Sequence, residues 1–333
     1  MAQVSDKTKG KRQEKNLTVQ PIRLLQEAKV VSLQKIIKFR IRVDNVRPLD
    51  TQVAGHGSED RQNNGSSRGM LVHEDGFVLK PVQAPPKGER EVDFYHYIST
   101  SPHLIDREFY SYLPRFYGTE SMKDDSLVQK QFLILENITQ GMTQPCVMDI
   151  KVGAKTYGPD TTAQKIRQED SKYLGTKKSL GFSVLGIITY SQEEKRMKRW
   201  DKSYGMNLSA DNLEEILNIY LVLGINPEAS KRIASTFLRR INKIADFFER
   251  QDMHHVYASS LLFAFDYRLL QQEYSNQSQV ESIQFSQSEL DALVRLKMID
   301  FAHVFPANGT PDLNFQQGIE NIRMLFSNFC DHN

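Results

Sequence analysis

Pro145–Cys146–Val147–Met148–Asp149–Ile150–Lys151–Val152–Gly153 is the stretch on which the reading of this chain turns. It reads as a strand in which charges alternate with apolar residues, so Asp149 and Lys151 point to the same face. A buried acid and base side by side are costly unless they pair with each other or engage a ligand. Spacing alone leaves both readings open, a structural ion pair or a site.

Working outward, Gln131–Phe132–Leu133–Ile134–Leu135–Glu136 has the pattern of a buried strand, and Asn137–Ile138–Thr139–Gln140–Gly141 turns away from it. Further upstream, Met70–Leu71–Val72 enters a strand. Gly76–Phe77–Val78–Leu79–Lys80–Pro81–Val82 forms the next, entered by a tight Glu74–Asp75–Gly76 turn. Pro85–Pro86–Lys87–Gly88 breaks it, and Glu89–Ser99 predicts a helix with Val92, Tyr95 and Ile98 on one face. Gly55–Gly69 is polar and glycine-rich and reads as loop. Gly181–Ile188 predicts another strand.

Downstream the pattern turns helical. Ser209 is placed to cap a helix ending at Gly224, and Ser230 a longer one with Ile233, Phe237, Ile241, Ile244 and Phe248 inward. Leu261–Phe265 and Met298–Ala302 read as a strand pair, Ser275–Ser288 as a polar surface loop, and Gln316–Asn328 as a terminal helix. Strands with few helices followed by helices with few strands predict an α+β, two-lobed fold.

Composition fits that picture. The 333 residues are 39% hydrophobic and 25% charged, within the globular range, and the net charge of +2 argues against a wholesale nucleic-acid coat. Two cysteines, Cys146 and Cys330, make no disulfide framework, and no apolar run reaches the length of a membrane span. The N-terminus lacks a secretory signal's apolar stretch, so an intracellular, soluble protein is expected. Residues 1–42 carry 11 Lys/Arg against 3 Asp/Glu, and 17–43 read as a helix or a strand. Lys9–Gly10–Lys11–Arg12 reads as a solvated tail or a nuclear localisation patch.

Three further groupings suit phosphoryl transfer, which needs cations on phosphates, a metal-holding carboxylate and a positioned acceptor. A strand lysine, Lys80, precedes a helix that Glu91 opens; the same spacing suits a snorkelling lysine and a glutamate at a helix N-terminus. Lys165, Gln168 and Lys172 fall within roughly 60° of one another on a helix, with Glu169 and Asp170 expected to point elsewhere. This face suits a polyanion, or simply solvent. Ile299–Asp300–Phe301–Ala302–His303 sets a carboxylate in an apolar run, where Mg²⁺ is a suitable partner and His303 a donor to phosphate. The Walker A motif, the kinase His-Arg-Asp loop, zinc spacing and a nucleophile elbow are absent from the sequence.

These segments, in this order, resemble the inositol polyphosphate kinase family. Pro145–Gly153 matches its P-x-x-x-D-x-K-x-G motif, backed by Leu135–Thr139, Ser259–Phe263 and Ile299–His303, and the resemblance covers about residues 50–330. Gln52–Val53–Ala54–Gly55–His56 and the short helix at 161–173 look most like the multikinase branch. Residues 1–48 read as a basic extension outside the resemblance, which implies an ATP-binding N-lobe at 49–138 and a C-lobe at 139–333. It implies ATP and Mg²⁺ as cofactors and inositol trisphosphate and tetrakisphosphate as acceptors. Lys80, steadied by Glu91, would contact the ATP phosphates. Glu136, Asn137 and Ile138 would form the adenine hinge, and Asp300 would hold Mg²⁺. Asp149 would face the ribose or the acceptor, and Lys151 would bridge the transferred group and the acceptor hydroxyl. Lys165, Gln168, Lys172 and His303 would grip the inositol phosphates, and Ser260 would support the metal corner. Met206 and Ile188 depart from the basic residues that many relatives carry there. The implied setting is a monomer in nucleus and cytoplasm, without membrane insertion. The rival readings are an inositol hexakisphosphate kinase, a kinase acting on phosphoinositide lipid headgroups, and a nuclear scaffold binding protein partners.

Overall fold

The computed structural model describes residues 45–53, 69–123, 129–191, 193–222, 224–271 and 285–332. Residues 1–44 of the basic extension, with the Lys9–Arg12 patch, and most of the glycine-rich and Gln/Ser-rich stretches lie outside these residues. The first lobe holds β1 (Val46–Pro48), β2 (Leu71–His73), β3 (Phe77–Pro81), α1 (Lys87–Thr100), α2 (Leu104–Ser111), β4 (Phe116–Lys123) and β5 (Gln129–Glu136). Its antiparallel sheet runs β1-β2-β3-β5-β4. The sheet therefore begins at Val46, inside the segment read as extension.

The second lobe opens with β6 (Pro145–Val152), α3 (Ala163–Asp170), α4 (Lys177–Leu180), β7 (Phe182–Ser191), β8 (Arg196–Trp200) and α5 (Lys202–Met206). It continues with α6 (Glu214–Tyr220), α7 (Pro227–Arg250), β9 (His254–Val256), β10 (Ser260–Asp266), α8 (Arg268–Gln271) and α9 (Gln287–Leu293). It closes with β11 (Val294–Ile299), β12 (Val304–Pro306) and α10 (Leu313–His332). A second antiparallel sheet runs β11-β10-β6-β7-β8, which puts the quoted motif on its central strand. Asp149 stands opposite Leu262 and Gly186, and Lys151 opposite Ser260 and Ser183.

Several boundaries differ from the sequence reading for local reasons. Asn226, not Ser230, caps α7: its side chain accepts from the Ala229 N–H and Pro227 supplies the first turn. Ser230 lies within the helix and donates to the Leu221 carbonyl. Ser209 caps only a short 3₁₀ turn at Ala210–Asn212, and α6 stops at Tyr220, before Gly224. A capping box between Ser286 and Glu289 starts α9, so the end of the expected 275–288 loop is helical. β11 ends at Ile299 because Asp300 takes φ +67°, a left-handed conformation that no strand continues. In α1, Glu91 and Phe94 join Tyr95 and Ile98 in the interior while Val92 is half-buried.

The core is aromatic near the site. Phe301 is fully buried, with its ring centroid 4.8 Å from Phe94 and 6.0 Å from Phe109. Behind the motif strand, α10 closes to backbone contact. A Cβ on Gly318 would lie 2.2 Å from the Gly181 carbonyl oxygen and 3.0 Å from the Gly153 nitrogen, which itself donates to Gly181 at 2.7 Å. Gly318→Ala would gain helix propensity of about 1 kcal/mol, but that overlap must be relieved by moving α10. A net loss of roughly 1–3 kcal/mol is expected. Chemical denaturation measures it, and a variant as stable as the parent would show that the junction has room.

Candidate functional site

Between the lobes lies a cleft of about 690 Å³, counting its open mouth. The hinge residues Glu136, Asn137, Ile138 and Thr139 line one side, Val53, Val78, Val147 and Leu262 supply apolar walls, and Lys80, Asp149 and Asp300 sit at its polar end. Six of the expected site residues therefore share one pocket.

Lys80 sits near mid-strand in β3, buried, with its ammonium 2.6 Å from Glu91 Oε1 and 2.5 Å from Asp300 Oδ1. Burial works to lower its pKa, but the carboxylates of Asp300 and Glu91 outweigh burial and hold it above the ordinary lysine value. Glu91 Oε1 also accepts from the Phe301 N–H at 3.1 Å. One carboxylate thus fixes the cation and the backbone beside Asp300. Aspartate tolerates the left-handed φ better than most residues, and the anchored Phe301 ring holds it there.

Asp149 is buried and its Oδ1 has no hydrogen-bond partner among the described residues. Burial pushes its carboxyl up to about 7 and the Asp300 charge adds to this; the Ser260 hydroxyl, Lys151 and Lys80 pull the other way. The Lys151 ammonium makes no ion pair or hydrogen bond among the described residues, so the adjacent acid and base are not a closed structural pair. Asp300, by contrast, is held below the usual carboxylate range: burial opposes this, and Lys80 and Lys151 override it.

At the hinge, the Asn137 side chain accepts from the Thr139 N–H and hydroxyl, and its own N–H donates to Gly76. The Ile138 carbonyl is taken by Arg295, which also binds the Gln140 carbonyl, at 2.8 and 2.9 Å. Among the described contacts the Ile138 N–H carries no hydrogen bond, and it is the backbone donor left for a ligand. Arg295 was not singled out from sequence, although Val294–Arg295–Leu296–Lys297–Met298 alternates as plainly as the motif strand.

Lys165, Gln168, Lys172 and His303 lie outside the lining of this cleft, on and just after α3 and in the turn after β11. Thr162 caps α3 through its side chain. Gln168 is exposed. Glu169 does not point away, as expected; it pairs with both Lys165 (2.9 Å) and Lys172 (3.0 Å). At 100° per residue, position 169 falls about 40° from 165, closer than Gln168. His303 is half-buried with Nδ1 unpartnered, and burial, Lys87 and Arg90 push its imidazole down to about 4. At that value the imidazole is neutral near pH 7.

Lys87 and Arg90, three residues apart on α1, and Lys177 on α4 were not singled out, because nothing in the sequence brings those two helices together. Arg90 pairs with Asp160, ahead of α3, and lies over the Phe305 ring. Buried Lys177 donates to the Glu169 carbonyl at 2.5 Å, against the C-terminal end of α3. Ile188 packs with Val53, Ile138, Val147 and Ala264, on the hinge side of the cleft.

No group of three or more His, Cys, Asp or Glu gathers for a metal among the described residues. Two carboxylates do face the polar end of the cleft, one with an unpartnered oxygen. That suits a divalent ion completed by ligand oxygens better than an all-protein cage.

A family model described as inositol polyphosphate kinase matches residues 132–327. The chain is 35% identical over 221 residues to inositol polyphosphate multikinase of Rattus norvegicus, covering 66% of this chain and 53% of that protein. It is 27% identical over 288 residues to inositol polyphosphate multikinase IPK2 of Oryza sativa subsp. indica, covering 83% and 91%. The chain thus spans about half the length of the mammalian relative and most of the plant one. The crystal structure of inositol phosphate multikinase Ipk2 from S. cerevisiae, in complex with ADP and Mn²⁺, superposes with a TM-score of 0.58 at 22% identity, over 76% of this chain and 98% of that one. That likeness speaks to the two-lobed fold.

The buried Asp149 carboxyl gives a sign-definite test. Its folded pKa is raised above the unfolded value, so its contribution favours folding at low pH and is lost as pH rises through about 7. Asp149→Asn in metal-free protein is expected to melt higher than the parent at pH 8, with a smaller difference at pH 5. Thermal melts at the two pH values check this; an equal difference at both would mean that Asp149 titrates normally.

Proposed function

The chain belongs to the inositol polyphosphate kinase family, and from that premise we propose that it transfers the γ-phosphoryl group of ATP to free hydroxyls of inositol trisphosphate and tetrakisphosphate. The observation that carries the proposal is the arrangement at the polar end of the cleft. A lysine is clamped by two carboxylates, and a second, Lys151, lies in the field of Asp149 and Asp300 with no salt bridge to either among the described residues.

Phosphoryl transfer asks for positioning and charge stabilisation, not a covalent enzyme intermediate. Lys80 has three donors and spends two on Glu91 and Asp300, leaving one for a nucleotide phosphate. The apolar walls and the free Ile138 N–H suit a nucleobase. Asp300, joined by the unpartnered Asp149 oxygen, would hold Mg²⁺, which when bound neutralises charge on the transferring phosphates. Lys151 is the group left to stabilise charge on the transferred phosphoryl and orient the acceptor hydroxyl. Lys165, Gln168, Lys172 and His303 grip the acceptor's other phosphates.

Incubation of the purified protein with Mg²⁺, labelled ATP and inositol trisphosphate is expected to yield more highly phosphorylated inositols, and chelation of the metal to stop it. Lys151→Ala and Asp300→Asn are each expected to remain folded and lose activity by orders of magnitude. Parental turnover in either purified variant would remove that residue from the mechanism.

A further inference from the structure

Glu169 places a negative charge between the lysines expected to receive phosphates. A single oxygen, Oε1, pairs with Lys165 at 2.9 Å and Lys172 at 3.0 Å. The Glu169 side chain is 19% exposed against 45% and 48% for the lysines, so the acid sits deeper than the cations it bridges. Burial works against its ionisation, but the two lysines hold its carboxyl down to about 2, and it stays charged at any working pH. Its backbone is fixed by Lys177 on its carbonyl.

This face adjoins the reacting end of the cleft. The Tyr173 hydroxyl lies within the field of both Asp149 and Glu169, and Lys177 within that of both Lys151 and Lys172. Tyr173 holds a left-handed φ of +52° directly after the Lys172 turn, which sets the geometry between the two ends.

Each carbon of an inositol phosphate ring presents one of two groups, a hydroxyl that donates or a phosphate that is an anion. A carboxylate accepts from the first and repels the second, while the flanking ammoniums attract phosphates. We propose that Glu169 is a specificity-determining residue, admitting acceptors that set a free hydroxyl between phosphates on the α3 face and disfavouring rings with a phosphate at that position. The inference rests on the kinase reading above and narrows its acceptor class.

Inositol hexakisphosphate is the discriminating probe, because every ring carbon carries a phosphate and Glu169 must meet one. Its inhibition constant against inositol trisphosphate is compared with the trisphosphate KM in the full-length parent, Glu169→Gln and Glu169→Asp. Glu169→Gln keeps shape and hydrogen bonding but removes the charge. The ratio of the hexakisphosphate inhibition constant to the trisphosphate KM is expected to fall about tenfold, while Glu169→Asp keeps the parental ratio and the ATP KM does not follow the change. A ratio unchanged in Glu169→Gln, with trisphosphate still phosphorylated, overturns the gate and leaves the kinase reading standing. Equal loss of affinity for both inositol phosphates also overturns it, since Glu169 would then only hold the helix. If the parent phosphorylates no inositol phosphate, the kinase reading fails and the gate falls with it.

Discussion

The Lys80 ammonium, shared between Glu91 and Asp300, is the constraint around which the site is arranged. Lys80 and Glu91 belong to the first lobe and Asp300 follows the last strand of the second sheet, so one cation joins both lobes at the polar end of the cleft. Lys80 is the only member of the trio whose loss would leave carboxylates there without their cation, the kind of loss that costs about 3–5 kcal/mol in a buried pair. The same Glu91 oxygen holds the Phe301 N–H, and the Phe301 ring is locked in the aromatic core. Asp300 is thus fixed by its side chain, by the backbone after it and by packing beyond that. This over-determination is what keeps an L-residue at positive φ.

The rest of the cleft is graded in charge. At the hinge end, polarity is backbone polarity, and Arg295 ties up the carbonyls while leaving a donor. Around Asp149 and Asp300, opposite charges nearly balance. Beyond Lys151 the cations dominate, through Lys87, Arg90, Lys165, Lys172 and Lys177. His303 does not add to that positive field, because its neighbours and its burial keep it neutral. On the proposed function, a lysine-rich end next to a balanced end would let two polyanions approach one divalent-ion site without stacking all their charge in one place.

Much of this was legible in the sequence, for a definable reason. Period-two alternation marked β6 and put Asp149 and Lys151 on one face, because strand geometry leaves side chains no other choice; an apolar run marked β5 and a tight turn the start of β3. The Lys80–Glu91 pairing was also readable, a strand lysine ahead of a helix that presents an acid one turn in. What escaped were features set by competition between near-equal local options. Asn226 and Ser230 are both good caps, and Pro227 decided between them. Asp300 looked like strand because its neighbours are apolar, yet its conformation is dictated by Glu91 and Phe94, some two hundred residues away in sequence. Glu169 was misjudged by counting only the attractive residues on a helical face; at 100° per residue the acid is nearer Lys165 than the amide is. Lys177 and Arg90 have no sequence signal, since their roles exist only once separate elements meet.

The Arg90–Asp160 pair ties α1, the helix that carries Glu91, to the segment leading into α3. On the proposed function, that pair joins the helix holding the partner of Lys80 to the segment that leads to Lys165 and Lys172. Wherever two binding events share such a tether, each alters the other's free energy by the same amount. Both partners are partly exposed, at 28% and 42%, so counter-ions weaken the tether. The link between α1 and the approach to α3 is therefore one that the ionic strength of the surroundings can loosen.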